Sequence, residues 1–204
     1  NGIDDIFVEN SKKTKKTKKT NCLKKSEKIK VLYAGNIGYG QALDKILPQM
    51  AHKLKKTHDF YVIGDGSEKN LLLSSLKKLD IENVFVRNPV KREDLVKKYY
   101  EADILFLHLN NTKAFEKVLP SKIFEYASMN KPILAGVAGF SKKFIQNEIV
   151  DAEIFHPLDV SNACKSLMSI DLKKNIDRED FIKKFARSKI TAKLAFDVHS
   201  TIIN

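Results

Sequence analysis

From residue 29 onward the chain alternates short apolar runs with stretches whose apolar residues recur every three or four positions. The first pattern is typical of buried strands and the second of amphipathic helices. Pro48 lies inside the first helical stretch and is expected to kink or divide that helix. Strands are predicted at residues 29–35, 60–66, 83–88, 102–109, 132–137 and 152–157. Helices are predicted at residues 41–56, 68–79, 91–101, 121–129, 141–149, 159–169, 178–187 and 189–203.

This regular alternation predicts an α/β fold: a Rossmann-like, doubly wound parallel sheet of about six strands with C-terminal helices. Residues 102–109 are apolar except for Asp103 and His108, which favours a sheet covered by helices on both faces. Such sheets bind ligands beyond the carboxyl ends of their strands. The loops that follow the strands are therefore the places to look for chemistry.

The region before residue 29 has a different character. Residues 11–20 read SKKTKKTKKT, a three-residue repeat without an apolar face, and predict a solvated extended loop or a disordered linker. Ten lysines against four acids in residues 1–30 supply half of the net charge of +12. The remainder of the chain is therefore only mildly basic.

The densest group of polar candidates begins at Pro120 and Ser121, just before a predicted helix. Ser121 can cap that helix, whose first N–H groups and dipole favour a phosphate. Lys122 adds a positive charge, and Glu125 lies one turn further, where a carboxylate can accept two vicinal hydroxyls of a ribose. The order suits a nucleoside diphosphate. The same spacing fits equally well a capped helix with a solvated lysine and glutamate.

Two glycine turns follow predicted strands. In AGNIGYGQ (34–41), Gly35 and Gly38 would let the backbone approach an anionic ligand closely. The pattern GxxGxG differs from the dinucleotide fingerprint and lacks a P-loop lysine, so on its own it favours a tight strand-to-helix turn. GDGSEK (64–69) is likewise interpreted as a turn that closes a strand.

Composition limits the class of protein. A hydrophobic content of 43% is that of a globular domain, and no apolar run approaches the ~20 residues of a membrane span. Nothing resembles a signal peptide. Cys22 and Cys164 lack metal-ligand spacing, which favours a reduced, cytoplasmic setting. His52 and His58 are expected at the surface, and His108 is expected to be a packed structural residue rather than a ligand.

Taken in order, the segments YAGNIG, VIGDGSEKNLL, NVFVRNPVKREDL, EADILFLHL and PSKIFEYASMNKPIL resemble the carboxyl-terminal domain of family-4 retaining glycosyltransferases. The similarity is to the bacterial surface-polysaccharide branch that transfers N-acetylamino sugars. The opening NGIDDIFVEN is similar to the family's interdomain segment, and PSKIFEY is the most specific part. The resemblance implies the donor half of a GT-B fold. Its expected parts are an interdomain segment and Lys-rich linker (1–28), a donor-binding domain (29–188) and a C-terminal helix (189–204).

The resemblance also implies roles for individual residues. The donor is expected to be a UDP-sugar, which is a substrate, and no cofactor is expected. The implied contacts are Gly35, Asn36 and Gly38 with the phosphates and sugar, Pro120, Ser121 and Lys122 with the diphosphate, Glu125 with the ribose, and Arg87, Asn88 and Val90 with the base.

Catalytic roles are predicted for Glu116 and Lys122. Glu116 resembles the first glutamate of the family's E-x7-E motif, which faces the sugar; here eight residues separate it from Glu125, and Lys117 occupies the strict position. The Arg/Lys pair of many relatives is absent from the first loop, so Lys122 is expected to supply that charge. No Asp-x-Asp motif is present, and we expect fixed cations rather than a metal to stabilise the leaving diphosphate.

The expected acceptor is a polysaccharide or a lipid-linked sugar, held by an amino-terminal domain without which the chain should be inactive. The last helix would pack on that domain through Ile190, Leu194, Val198 and Ile202. The lysines between Lys12 and Lys30 could contact anionic lipids at the inner face of the cell membrane, at ~1 kcal/mol per lysine.

Other functions fit parts of the sequence. A UDP-sugar epimerase of the same fold and a non-catalytic nucleotide-sugar-binding subunit both remain open. Specific nucleic-acid binding is not expected, because the clustered lysines lack interleaved aromatic residues or arginine.

Overall fold

The computed structural model describes residues 2–14 and 28–203. In this part of the chain six strands form one sheet in which every neighbouring pair is parallel. The strand order is β3-β2-β1-β4-β5-β6, which confirms the predicted fold class. Each strand ends within two residues of its prediction: β1 (Ile29–Asn36), β2 (His58–Asp65), β3 (Val84–Arg87), β4 (Ile104–His108), β5 (Ile133–Gly136) and β6 (Ala152–Phe155).

Helices connect successive strands and complete the chain. Pro48 is buried inside an unbroken helix, so the predicted division does not occur. The 3₁₀ helix Phe115–Lys117 was not predicted. The α-helices are α1 (Asp5–Thr14), α2 (Leu43–Lys53), α3 (Lys69–Lys78), α4 (Arg92–Glu101), α5 (Lys122–Ser128), α6 (Gly139–Glu148), α7 (Val160–Ser169), α8 (Glu179–Phe185) and α9 (Arg187–Ile203).

The sheet is covered on both faces, and alternate residues of each strand enter different cores. In β1, Val31 and Tyr33 pack with α2, α3 and α7, whereas Leu32 and Ala34 pack with α4, α5 and α8. Because both faces are buried, the middle of each central strand is apolar, at residues 31–34 of β1 and 104–107 of β4. Within the described residues, no helix has the length and apolar character needed to cross a bilayer.

The amino-terminal segment packs on the domain. Ile3 and Phe7 are fully buried, and Phe7 stacks on Tyr99 of α4 with ring centroids 6.0 Å apart. The prediction of an extended or disordered stretch at 11–20 is wrong for residues 11–14, which continue α1. This helix starts beside buried Phe7 and has Asp5 in its first turn, where a carboxylate is favourable. The rest of the lysine repeat lies in residues 15–27, outside the described part.

The amino-terminal segment forms backbone hydrogen bonds with residues around the start of the last helix. Ile3 forms a parallel bridge with Ala186, with hydrogen bonds from Ile3 N–H to Phe185 O (2.7 Å) and from Arg187 N–H to Ile3 O (2.8 Å). On α9, Ile190 and Leu194 of the predicted apolar stripe are exposed, as is Phe196. The side chains of Val198 and Ile202 lie outside the described part, so packing on another domain stays a prediction.

Buried cations brace the opposite, amino-terminal edge of the sheet. Arg178 is 2% exposed and donates to the carbonyls of Lys131, Val150 and Asp151 over 2.8–3.0 Å. Lys131 donates to the carbonyls of Tyr100 (2.9 Å) and Ala102 (2.6 Å). Burial lowers the pKa of both side chains, that of Arg178 to about 10. These contacts join α8 and the chain before β5 to the sheet.

His58 corrects a sequence-based expectation. It was predicted at the surface but is 2% exposed, because β2 begins two residues earlier than expected and places this side chain at an inward position beside Phe60. His52 is exposed, as predicted.

Candidate functional site

The chain reverses its winding direction between β1 and β4. The connection after β1 leads to α2 on one face of the sheet, whereas the connection after β4 leads to α5 on the other face. Loops that diverge in this way leave a crevice at the carboxyl ends of the two strands, the usual ligand position in open α/β sheets. Gly35 and Asn36 end β1 at this point.

The glycine turns after β1 and β2 fit against each other. A Cβ on Gly64 would overlap the carbonyl oxygen of Gly35, and one on Gly66 would overlap the carbonyl of Ile37. Gly66 also has a φ of 153°, which side chains disfavour. The second turn, interpreted from sequence only as the end of a strand, therefore supports the loop of the first.

Side chains hold the loop after β1 in one conformation. The Gln41 side-chain oxygen accepts from Asn36 Nδ2 (3.0 Å) and from the Gly38 N–H (3.3 Å). Asn110, after β4, donates from Nδ2 to Tyr39 O (2.9 Å), and its backbone N–H donates to Gly40 O (2.8 Å). Asn36 and Gly38 thus lie together in a loop that is fixed at both ends.

Helix α5 is aligned with β1 by a tyrosine of the PSKIFEY segment. Tyr126 is fully buried, and its hydroxyl accepts from the Ala34 N–H at 2.9 Å. Ile123 and Phe124 are also buried in the core. Lys122 and Glu125 are the helical positions left facing the crevice, and Lys122 Cε would lie 3.7 Å from a Cβ on Gly35.

The predicted serine cap does not form. Ser121 precedes α5 in the right-handed helical conformation, and its side chain makes no capping hydrogen bond. Capping needs an extended residue at this position, and Ser121 instead belongs to a tight first turn with bonds from Ile123 N–H to Pro120 O (3.2 Å) and Phe124 N–H to Ser121 O (3.1 Å). Since α5 has only seven residues, the side chains of the site carry more weight than the helix terminus.

Lys122 and Glu125 form an ion pair at the centre of a small polar network. Lys122 Nζ lies 2.7 Å from Glu125 Oε2 and 3.2 Å from Tyr99 Oη, and Tyr99 Oη donates to the same carboxylate oxygen at 3.0 Å. Burial and then the nearby Tyr126 and Glu125 raise the pKa of Tyr99, so its hydroxyl keeps its proton. Arg92 Nη2 lies 3.7 Å from the other oxygen, Glu125 Oε1.

The two central side chains are mostly covered but keep some exposed surface. The side chain of Lys122 is 25% exposed and that of Glu125 is 13% exposed. Glu125 therefore does not point into the core.

The residues expected to meet a base lie two strands away, at the end of β3. Arg87, Asn88 and Val90 are exposed, and Asn88 Oδ1 accepts from Lys69 Nζ at 2.7 Å. Their loop leads directly into α4, whose Arg92 reaches Glu125. The loop and the carboxylate are thus on the same side of the crevice.

Glu116 lies on the 3₁₀ helix after β4 and is exposed. The backbone of Glu116 packs against Gly139, because a Cβ added to Gly139 would overlap Glu116. Gly139 also has a φ of 56°. Phe115, which precedes Glu116, touches the first glycine loop, because a Cβ on Gly40 would lie 2.7 Å from the Phe115 ring. The structure therefore places Phe115 against the first glycine loop and the backbone of Glu116 against Gly139.

His108 is a structural residue, as predicted. It is fully buried at the end of β4, with Nδ1 donating to Gln41 O (2.7 Å) and Nε2 accepting from the Leu158 N–H (3.1 Å). Burial lowers the pKa of His108 to about 4, so the ring is neutral at pH 7. Nδ1 thus holds the loop that carries Gln41, and Nε2 holds the turn between β6 and α7.

Several residues at the carboxyl edge of the sheet were not identified from the sequence. Arg92, Tyr99 and Asn110 come from positions that the pattern assigns to an ordinary helix or loop. The Tyr99–Tyr100 pair in a predicted helix, with Tyr126 after Glu125, was the available signal, because buried tyrosines seek polar partners. Among the described residues, no group of three or more His, Cys, Asp or Glu side chains could hold a metal ion.

Comparisons with known proteins agree with this fold. Solved structures with the same fold include HepE of Anabaena with UDP and glucose (TM-score 0.70, 15% identity, 98% of this chain and 55% of HepE). A second is the pneumococcal O-GlcNAc transferase GtfA with UDP and GlcNAc (TM-score 0.65, 15% identity, 86% of this chain and 36% of GtfA). A third is the lipopolysaccharide outer core galactosyltransferase WaaB in its apo form (TM-score 0.64, 14% identity, 87% of this chain and 51% of WaaB).

The chain thus spans about half the length of HepE and WaaB. A search of curated sequences gives no significant match. The family described as "Glycosyl transferases group 1" matches residues 14–188, most of the chain. The chain belongs to this family and has the fold of one half of a GT-B glycosyltransferase.

Proposed function

We propose that this chain is the donor-binding domain of a retaining glycosyltransferase and that it binds a UDP-sugar in the crevice between β1 and β4. The observation that carries the proposal is the accessible Lys122–Glu125 pair beside Gly35, where the sheet reverses its winding. The family match and the ligands of HepE and GtfA, which were solved with UDP, support the same ligand class.

Lys122 and Glu125 suit the two polar ends of a nucleoside diphosphate. The ammonium group would bind the diphosphate, and the carboxylate would accept hydrogen bonds from the ribose hydroxyls. Without a ligand the two groups neutralise each other at 2.7 Å. Binding exchanges this ion pair for two charge-assisted interactions, which are stronger than neutral hydrogen bonds.

The remaining parts of the donor follow from these two contacts. The base would lie toward Arg87, Asn88 and Val90, on the Arg92 side of Glu125. The phosphates and the sugar would lie along Gly35, Asn36 and Gly38, with Pro120 and Ser121 beside the diphosphate. Glu116 would approach the sugar, because its neighbour Phe115 contacts the glycine loop.

The proposed reaction breaks the bond between the sugar's anomeric carbon and the diphosphate oxygen, and forms a bond from that carbon to an acceptor oxygen with retention of configuration. The acceptor hydroxyl loses its proton to the departing diphosphate. Negative charge develops on the departing diphosphate, where the Lys122 ammonium group would stabilise it. We propose an N-acetylamino sugar as the transferred group and a polysaccharide or lipid-linked acceptor, held by a separate amino-terminal domain. Activity would require that domain.

The test is a calorimetric titration of the chain with UDP and with 2′-deoxy-UDP. UDP should bind with a Kd between micromolar and millimolar, and Lys122→Ala should weaken binding about 10- to 100-fold, the value of one charge-assisted contact. Glu125→Ala should weaken the binding of UDP more than that of 2′-deoxy-UDP, because the deoxy compound keeps only one of the two hydroxyls that would donate to Glu125.

A matched control is the Lys98–Glu101 pair, which has the same spacing and the same 2.7 Å separation on an exposed face of α4. Lys98→Ala and Glu101→Ala should leave the Kd unchanged. If UDP does not bind, or if the two site variants bind it like the unmodified chain, the proposal is wrong.

A further inference from the structure

The amino-terminal segment reaches the proposed ribose carboxylate by two routes. On the first, Asp4 Oδ2 lies 3.1 Å from Arg92 Nη2, and this same nitrogen lies 3.7 Å from Glu125 Oε1. On the second, the Phe7 ring stacks on Tyr99, whose hydroxyl donates to Glu125 Oε2. Each oxygen of Glu125 is thus held by a residue of α4 that also contacts the segment.

The two routes are connected, because Arg92 contacts both Asp4 and Phe7. The Arg92 guanidinium lies over the Phe7 ring, 5.4 Å from its centroid. Arg187 Nη1 of α9 also forms an ion pair with Asp4 Oδ2 at 3.3 Å. Phe7 is fully buried, so the segment cannot shift without uncovering an aromatic side chain. The position of Arg92 therefore depends on whether residues 2–9 are docked.

We propose that Arg92 is a positioning residue for the donor site: docking of residues 2–9 through Asp4 holds Arg92 against Glu125 and so orients the carboxylate for the ribose. This inference rests on the proposed function. By thermodynamic linkage, a nucleotide that binds better to the oriented carboxylate must also stabilise the docked segment to the same extent. The segment that leads into the domain thereby senses whether the donor site is occupied.

The direction in which one substitution changes the affinity for UDP distinguishes this role from a simple effect of charge. Asp4→Asn removes a negative charge, which by itself makes the region more attractive to an anionic nucleotide. If Asp4 holds Arg92 in place, the same substitution must instead weaken binding. We expect the Kd for UDP to rise about twofold in Asp4→Asn and about three- to fivefold in Arg92→Gln, as for partly exposed ion pairs.

The double variant tests whether Asp4 acts through Arg92. Asp4→Asn combined with Arg92→Gln should bind UDP like Arg92→Gln alone, because residues that act in one network are not additive. Asp5→Asn is the matched control, since Asp5 is an exposed acid one position along. It removes the same charge and should not weaken binding. Arg92→Lys keeps the positive charge but lacks the planar guanidinium group, so it should recover only part of the affinity for UDP.

Hydrogen exchange provides a readout that a purely structural role would not change. UDP should slow exchange at the Ile3 and Phe7 amides, which donate to Phe185 O and Asp4 O, and this effect should disappear in Arg92→Gln. If UDP binds the unmodified chain and Asp4→Asn binds it equally or more tightly, the coupling is refuted while the proposed function stands. If UDP does not bind the unmodified chain, both are refuted.

Discussion

The two edges of the sheet use their cationic side chains in different ways. At the amino edge, Arg178 and Lys131 are directed at backbone carbonyls, five acceptors in all, that cannot move without moving the strands. At the carboxyl edge, Lys122 donates to the side chains of Glu125 and Tyr99. A cation bound to backbone carbonyls braces the fold, whereas one bound to a carboxylate can be exchanged for a ligand.

The largest expected effect concerns the amino edge. Arg178→Ala removes a buried guanidinium donor from the carbonyls of Lys131, Val150 and Asp151 and should lower the free energy of unfolding by about 3 to 5 kcal/mol. Urea denaturation at pH 7 measures this change. Arg187→Ala, at an arginine that is 57% exposed, should cost less than about 1 kcal/mol. Similar losses for the two variants would contradict the distinction.

His108 sharpens the comparison, because this residue of the carboxyl edge is buried and bonded to the backbone like the cations of the other edge. Its pKa of about 4 lies below the ordinary value of 6.5, so between these two pH values the unfolded chain binds more protons. Stability should therefore be complete above about pH 6.5 and should fall by on the order of 3 kcal/mol as the pH drops to 4.

His108→Gln should remove most of that pH dependence, as measured by urea midpoints at a series of pH values. Burial also lowers the pKa of His58, so part of the decline should remain in this variant. His52→Gln, at an exposed position, should retain the full decline. An unchanged pH profile in His108→Gln would show that His108 is not the titrating group.

The glycines of the carboxyl edge allow a smaller test of which contacts there are rigid. Gly64→Ala should cost about 2 to 3 kcal/mol, because its Cβ would overlap the backbone carbonyl of Gly35. Gly38→Ala should cost less than about 1 kcal/mol, since its Cβ would meet Asn36 Nδ2 at 2.7 Å and a side chain can move away. Thermal unfolding compares the two, and equal costs would mean that the Gly64 turn can also yield.

The smallest expected effect is the most informative about exchangeable contacts. Lys122→Met should change the free energy of unfolding by less than about 1 kcal/mol, because Glu125 keeps Tyr99 and Arg92 as partners. Lys131→Met, at the other edge, should cost more, since two carbonyls lose their donor. Chemical denaturation of both variants decides the point; a larger loss for Lys122→Met would mark it as a structural cation.

The sequence was informative where local pattern decides the structure. Apolar runs identified the six strands, because the buried middle of a strand that is covered on both faces is apolar. Lys122 and Glu125 were found because their spacing on a helix fixes their proximity. The contacts of Glu125 with Arg92 and Tyr99 could not be predicted, since they join separate helices whose packing no local pattern encodes.

Local rules also failed where tertiary structure overrode them. Ser121 has the residue type of a helix cap, but its backbone is helical and it does not act as one. His58 looked like a surface residue because the start of β2 was placed too late. Residues 11–14 looked disordered, and the helix that includes them starts in a segment anchored by Ile3 and Phe7.

The bridge between Ile3 and Ala186 has a consequence for how the protein folds. The nearby Asp4–Arg187 contact joins residues 183 positions apart, so on the ribosome the first segment must wait for nearly all of the domain to be synthesised. Until then Ile3 lacks its bridge partner Ala186, and closure of so long a loop is slow. The docking of this segment should be the last step of folding, and the segment should be the first part of the molecule to detach when the protein begins to open.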